Sequence, residues 1–203
     1  MGREWRLLLL GGASGVGKST LARAIARDLN VSWLQVDSIW LALCEATTKE
    51  THPLLHLFRD LDGPWFELDM DEMLAKFLEL CCAVSRVLGP LLEHELNSNS
   101  VAILEGTWIT PEFAARACEN SRVRTVFLDE SDPDRLQSAM IARAQGATWN
   151  ERRQMLAELS WRHGEWLRSE CKRLGLPLVS AWPHESLSQR TLRACGPGTR
   201  DYL

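Results

Sequence analysis

Basic residues are in short supply. The 203-residue chain carries 23 Lys and Arg against 27 Asp and Glu, a net charge of −4. A nucleic-acid partner calls for a basic face, so that class is disfavoured. None of the six cysteines (44, 81, 82, 118, 171 and 195) forms a C-x-x-C pair. Zinc and thioredoxin-type redox readings therefore lack support. Most of these cysteines fall in helical patterns and read as small buried apolar residues, as in a reducing cytosol. No apolar run approaches the ~20 residues of a membrane span. Leu7–Leu10 is too short for the apolar core of a secretory signal, so no membrane partner and a cytoplasmic location are expected. Internal repeats and low-complexity tracts are also missing. His52, His56, His94 and His163 show no ligand spacing and read as surface or satisfied helix residues.

One local pattern is complete. Residues 12 to 19 read Gly12-Ala13-Ser14-Gly15-Val16-Gly17-Lys18-Ser19, matching G-x-x-x-x-G-K-[ST]. The glycines let the backbone curl so that successive N–H groups face phosphate oxygens. Lys18 reaches the outer phosphates and the Ser19 hydroxyl can ligate magnesium. The helix that follows, through Thr20, adds a partial positive charge at its N-terminus. Context supports the pattern. Arg6–Leu10 reads as a buried strand. Leu21, Ile25 and Leu29 recur at i, i+4 and i+8 on one helix face, with Arg23 and Arg27 on another.

Further along, Val31–Val36 reads as a second strand ending at Asp37. A long, mostly helical region follows, with a turn signal at Leu61–Pro64. An apolar stripe from about Asp69 to Leu96 includes Met73, Phe77, Leu80 and Val84. Gly89-Pro90 is expected to kink or divide that helix. Asn97–Ser100 is a loop. Val101–Leu104 is a third strand ending at Glu105-Gly106. Thr110-Pro111 reads as an N-cap with proline at the first helical position. Val123–Leu128 is a fourth strand, and Asp132-Pro133 starts another helix running to Arg143. Gln145–Thr148 breaks the pattern. A helix from about Asn150 to Leu174 stops at Gly175. Leu178–Ser180 is a fifth strand, and a last helix covers roughly Leu187–Ala194. Alternating strands and helices imply an α/β fold, a parallel sheet with helices on both faces. Ligands then sit beyond the carboxyl ends of the strands, at the Gly12 loop, Asp37, Glu105, Asp129 and Ser180.

With the loop, Gln35-Val-Asp-Ser38 and Leu104-Glu-Gly106 placed, the chain resembles the small P-loop kinases. That group includes gluconate and shikimate kinases, chloramphenicol phosphotransferase and 2-phosphoglycerate kinase-like proteins. Val36-Asp37-Ser38 is similar to the chloramphenicol phosphotransferase stretch, and Ile103–Gly106 to the 2-phosphoglycerate kinase-like group. The resemblance implies one three-layer domain over residues 1–203, with a five-stranded parallel sheet in the order 2-3-1-4-5. Its core would cover about 1–43, 99–135 and 175–203. A helical substrate-binding insert would cover about 44–98, and a lid about 136–174. It also implies ATP as donor, Mg2+, a small hydroxyl-bearing acceptor, and a monomer or homodimer. No N-K-x-D motif argues for GTP instead.

Phosphoryl transfer requires a positioned hydroxyl and charge neutralisation. Asp37 either accepts the acceptor's proton or caps a helix starting at Ser38. Glu105, at the end of an apolar strand, either holds a magnesium-bound water or pairs with an arginine; Asp is the usual residue at such a strand end. Asp129 is either a site or a turn residue. The resemblance implies a lid arginine stabilising the transferring group, from among Arg135, Arg143, Arg152 and Arg153. Arg143 is the first choice, because it precedes the break at Gly146 where a hinged lid would begin. Trp182 either walls the nucleotide base or lies in the core.

Residues 44 to 98 contain eleven acids and four bases, a net charge of −7. Only Arg59 or Arg86 could clamp an anionic substrate there. Trp40, Phe58, Trp65 and Phe66 lie on or near the inner edge of this region, with Trp108 opposite. An aromatic-walled, acid-rimmed pocket suits a neutral or cationic hydroxyl compound, such as an antibiotic or similar natural product. Asp37, Trp40, Arg86 and Trp108 are the expected acceptor-side residues. Alternatively the acids only solvate outer helix faces. Competing readings are a kinase for an anionic metabolite (gluconate- or 2-phosphoglycerate-like) and an ATP-binding switch without an acceptor.

Overall fold

A computed structural model describes residues 5–60, 63–98, 100–144 and 148–196. Leu61 and Asp62 of the expected turn, and Gly146 of the expected lid hinge, lie outside these residues.

Five parallel strands form the sheet: β1 (Leu7–Gly12), β2 (Ser32–Gln35), β3 (Ala102–Glu105), β4 (Val123–Asp129) and β5 (Leu178–Ser180). Their order is β2-β3-β1-β4-β5, as expected. β1 lies at the centre, and all six of its residues are buried. That explains its unbroken apolar run, because a central parallel strand is covered on both faces. The register pairs Glu105 with both Leu10 and Gln35. β2 and β3 therefore stop level, β1 runs on to Gly12, and the segments after them emerge side by side.

Helices cover the sheet. α1 (Lys18–Leu29) packs with α8 (Leu187–Ala194), while α4 (Met70–Asn97) and α7 (Glu151–Leu174) pack with each other and against β1 and β4. Between them run α2 (Val36–Ala46), the short α3 (Pro53–His56), α5 (Pro111–Ala117) and α6 (Pro133–Arg143). Three helix starts follow local chemistry closely. Thr110 accepts from the Phe113 N–H, Asp132 from the Asp134 and Arg135 N–H groups, and Asn150 from the Arg153 N–H. Each satisfies donors that a helix N-terminus leaves free. Gly175 ends α7 with φ of 65°, where a left-handed residue closes the helix.

Several boundaries differ from expectation. The second strand ends at Gln35, and α2 begins at Val36 with Gln35 as its N-cap. Asp37 therefore sits inside the first helical turn and is not the cap. α4 runs unbroken through Gly89 and Pro90. Its buried stripe of Leu80, Val84, Leu88, Leu92 and Leu96 keeps the helix seated on the core. Pro90 itself is exposed. Within region 44–98, α4 from Leu80 onward packs in the main core. The same holds for much of 136–174, since Leu167 and Cys171 of α7 are core residues. A second, smaller core joins Trp65 and Met73 to Leu159 of α7. Trp65 is thus a core residue rather than pocket wall, and its indole donates to the Asp60 carbonyl.

A methyl group added at Gly89 would meet no atom within 4 Å. Gly89→Ala removes the flexibility cost of glycine inside a helix, so the chain should gain about 0.5–1 kcal/mol. A higher urea midpoint with an unchanged denaturant slope is the expected result. A lower midpoint would mean that this stretch of α4 needs glycine's freedom.

Candidate active site

The phosphate loop joins β1 to α1. Gly15 has φ of 87°, and a Cβ there would lie 2.8 Å from Met140 Cγ of α6. Only glycine satisfies both the left-handed backbone and the close approach. Gly106, just past β3, meets a similar limit: a Cβ would lie 2.8 Å from Val36 Cβ and 3.6 Å from Asp37 Oδ1. Glycine there lets the start of α2 close against the end of β3, bringing Asp37 near Glu105.

Lys18 is the electrostatic hub. It is only 7% exposed, and its Nζ donates to the Ala13 carbonyl at 2.7 Å and to Thr107 Oγ1 at 3.2 Å. Burial lowers its pKa to about 8, while the charges of Asp37 and Glu105 pull it back up. Glu105 is 1% exposed. Burial raises its pKa, opposed by hydrogen bonding with Ser19 and by the Lys18 charge. Its Oε1 has no hydrogen-bond partner among the described residues, and neither has Asp37 Oδ1. The Ser19 hydroxyl accepts a long 3.5 Å contact from Gln35 Nε2.

A cavity of about 400 Å³ opens beside this cluster. Ser14 of the phosphate loop forms part of one wall. Asp37, Ser38 and Trp40 of α2 form another, and Thr107, Trp108, Phe58, Phe77, Arg143, Ser160 and His163 complete the polar and aromatic lining. Trp40 and Trp108 pack with ring centroids 5.0 Å apart, and Phe77 meets Trp108 at 5.4 Å. Helix α7 is tied to the phosphate loop, for Ser160 Oγ donates to the Ser14 carbonyl at 2.6 Å. Gly164 lies against Ala13, where an added methyl would be 3.7 Å from the alanine side chain.

The fold thus brings Lys18, Asp37, Glu105, Trp40, Trp108 and Arg143 around one space. Arg86 does not join them. It is exposed on α4 and lines none of the described cavities. Arg59 bridges Glu45 on the surface. Asp129 is engaged by Arg168 through two nitrogens, at 3.0 and 3.2 Å. Trp182 is 47% exposed and lines a separate cavity of about 380 Å³ with Gly15 and Val16. Arg135 lies over its ring at 5.8 Å and is held by Glu130. Arg153 shares a further cavity of about 250 Å³ with Arg143 and Ser14.

The acidic rim is not there. Among the described acids of region 44–98, none lines the main cavity, and nearly all are exposed on outer faces. Several are already engaged: Glu45 with Arg59, Asp60 with Lys49, Glu79 with Lys76, Asp71 with Arg162. Asp69 caps α4.

His163 reverses its expected place. It is neither on the surface nor satisfied, being 1% exposed with no partner for Nδ1. Burial, with help from the Lys18 charge, lowers its pKa to about 3. Its spacing of four from both Leu159 and Leu167 puts it on the buried stripe of α7, the one signal available in the sequence. Thr107 was equally unmarked, because it follows the strand-end glycine without any motif.

No protein-family model matches the chain. It is similar to a 2-phosphoglycerate kinase from Pyrococcus horikoshii, with 33% identity over 112 residues. That match covers 53% of this chain and 36% of the relative, so the chain spans about a third of that protein's length. Two solved structures share the architecture. A gluconokinase from Sinorhizobium meliloti aligns at TM-score 0.56 and 16% identity, over 96% of this chain and 93% of that one. A shikimate kinase from Bacteroides thetaiotaomicron aligns at 0.50 and 21%, over 92% and 96%. The chain has the small P-loop kinase fold. At these identities the likeness is one of fold.

The buried imidazole carries a pH signature. In the unfolded chain this ring takes up a proton below about pH 6.5, but in the folded chain only near pH 3. Its contribution to stability is complete above 6.5 and is lost as pH falls from 6.5 towards 3. His163→Leu removes that loss. The melting temperature of the variant minus that of the wild type should widen steadily below pH 6.5 and stay flat above pH 7. A constant difference across the range would show that the ring titrates normally.

Proposed function

We propose that this chain is a small-molecule kinase. It would move the γ-phosphoryl group of ATP to a hydroxyl of a neutral compound with a substantial apolar face. The observation that carries this reading is a single cavity bounded both by Ser14 of the phosphate loop and by Asp37. Donor and acceptor would meet there.

In this reading the loop Gly12–Ser19 and Thr20 hold the donor phosphates. Trp182 walls the base in the cavity it shares with Gly15 and Val16. Lys18 gives up its Ala13 and Thr107 contacts to reach the outer phosphates, and Arg143 spreads charge on the group in transfer. Asp37 orients the acceptor hydroxyl and takes its proton. Among the described residues no cluster of three or more His, Cys, Asp or Glu side chains could hold a metal ion. That fits Mg2+, which binds through phosphates and few protein groups. The unpartnered Glu105 Oε1 beside Ser19 is a donor set of that kind, with Ser19 as direct ligand and Glu105 acting through water. Such an ion would neutralise charge on the outer phosphates.

The acceptor class follows from the lining. Trp40, Phe58, Phe77 and Trp108 give apolar walls, and among the described residues Asp37 and Arg143 are the only charged ones lining the cavity. An antibiotic or similar natural product fits these walls on aromatic grounds alone. A second reading, a kinase of an anionic metabolite, is favoured by the Arg143–Arg153 pair around Ser14. The 2-phosphoglycerate kinase match points the same way. No helix among the described residues is long and apolar enough to cross a membrane.

Asp37→Ala should leave ATP binding near the wild-type level by calorimetry, yet lower transfer by about 10²–10⁴-fold. Lys18→Ala and Ser19→Ala should abolish turnover. A screen for ADP release across hydroxyl compounds, antibiotics and sugar acids included, supplies the acceptor. A response confined to sugar acids would favour the second reading. Tight ATP binding with no response to any compound would favour a switch. Undiminished transfer in Asp37→Ala would remove Asp37 as base.

Arg143→Ala should lower kcat by about 10²–10³-fold, with a much smaller change in ATP affinity. An unchanged kcat would assign the charge-spreading role to Arg153 or another lid cation.

A further inference from the structure

We propose that His163 is a specificity-determining residue of the main cavity, a buried imidazole that receives a second polar group of the acceptor. Compounds bearing a hydroxyl, amide or carbonyl beyond the hydroxyl being phosphorylated would be preferred over those with bare hydrocarbon there. The inference rests on reading this cavity as the acceptor site.

Position is the first support. His163 lines the same cavity as Asp37, and it comes from α7, a different element. An acceptor gripped at both residues is held from two sides, which fixes orientation better than one contact. The helix is registered to the phosphate loop by the Ser160–Ser14 hydrogen bond. The imidazole therefore keeps a defined place relative to the donor phosphates.

Rigidity is the second. The ring meets Phe77 edge-on with centroids 5.1 Å apart and stacks with Trp166 at 5.8 Å. Its plane is set before any ligand arrives. The third support is what the ring lacks. Nδ1 has no hydrogen-bond partner among the described residues; it is buried, so a ligand reaches it only when the lining side chains shift. Leucine at 163 would continue the stripe of Leu159 and Leu167 without leaving a polar atom unpaired, so a merely structural role favours an apolar side chain. Trp108 Nε1 and Asp37 Oδ1, on residues lining the same cavity, are unpartnered as well. Apolar walls with a few unsatisfied polar groups are the general form of a small-molecule site.

The charge state settles what kind of group is received. Burial and the nearby Lys18 cation keep the imidazole unprotonated at neutral pH. A neutral ring has one donor and one acceptor nitrogen, so it matches a hydroxyl or amide and offers no charge to a carboxylate or phosphate.

The test uses the full chain labelled with 15N-histidine and two probes that differ by one hydroxyl, 3-phenylpropane-1,2-diol and 3-phenylpropan-1-ol. The diol should move the His163 ring-nitrogen resonances and bind about fivefold tighter than the mono-ol, the worth of one hydrogen bond. His163→Leu should melt no lower than wild type at pH 7.5 and lose the preference for the diol. His163→Gln should keep part of it. Any of three results overturns the proposal: neither alcohol moves His163, the wild type binds both equally, or His163→Leu retains the preference. ADP release measured in parallel separates the two readings. Discrimination through His163 without ADP release would sink the kinase assignment and leave this role standing. ADP release with an unchanged preference in His163→Leu would do the reverse.

Discussion

The Lys18 ammonium is a cation taken out of water, and the arrangement around it follows from that cost. Burial alone would drive it neutral, and its pKa does fall to about 8. It stays a cation near pH 7 because Ala13 and Thr107 accept its hydrogens and because Asp37 and Glu105 lie near enough to raise its pKa. The dependence is mutual. The same positive charge opposes the neutralisation of Glu105. Breaking up such a group leaves an uncompensated buried charge, which is far more costly than never having placed it. The cluster is also incomplete, since each carboxylate retains an oxygen without a partner. A cluster balanced in charge but short of hydrogen-bond donors is receptive to a ligand or ion that brings them.

Four segments must meet for this to happen, and the parallel sheet makes them meet. Glu105 lies in register with Gln35 and with Leu10, so β2 and β3 finish at one level and β1 runs two residues further, to Gly12. Asp37, Glu105 and Thr107 come at or just after the strand ends, and Glu105 and Thr107 stay buried there. Gly106 then removes the bulk that would keep α2 away from β3. Helix α7 supplies the fourth side, tied by Ser160 to the phosphate loop. That hydrogen bond spans 146 positions in sequence. No local pattern could announce it.

What was legible in the sequence was local chemistry. Lys18 and Ser19 stand in a fixed spacing whose purpose is readable, and Thr110, Asp132 and Asn150 declare helix starts through their own side chains. The buried strands read as apolar runs, and with the resemblance their order came out right. Legibility failed where a distant partner decides. Pro90 should break a helix by its own geometry, but it faces solvent while the leucines beside it hold α4 on the core. The cap alternative for Asp37 arose because nothing nearby shows that α2 begins at Val36. Arg86 and His163 are each single residues on long helices. Which face of α4 or α7 turns inward depends on what packs there, so Arg86 could be put in the cavity and His163 left out of it.

The acidic region between 44 and 98 shows how far charge counting goes. A net −7 suggested a pocket repelling anions, yet nearly all of the described acids sit on outer faces in water and several hold their own cations. At physiological salt, exposed charges more than about 8 Å apart are largely screened. What a ligand in the cavity meets is instead the small set of groups lining it. Asp37 contributes a negative charge and Arg143 a positive one, while His163 is buried and neutral. Apart from Lys18 beneath, the lining is close to balanced. Discrimination among ligands of this cavity then falls to aromatic contact with Trp40, Phe77 and Trp108 and to hydrogen bonding. A missing or added hydroxyl should matter more than a unit of net charge remote from the site, because an unpaired polar atom in a dry pocket is penalised in full.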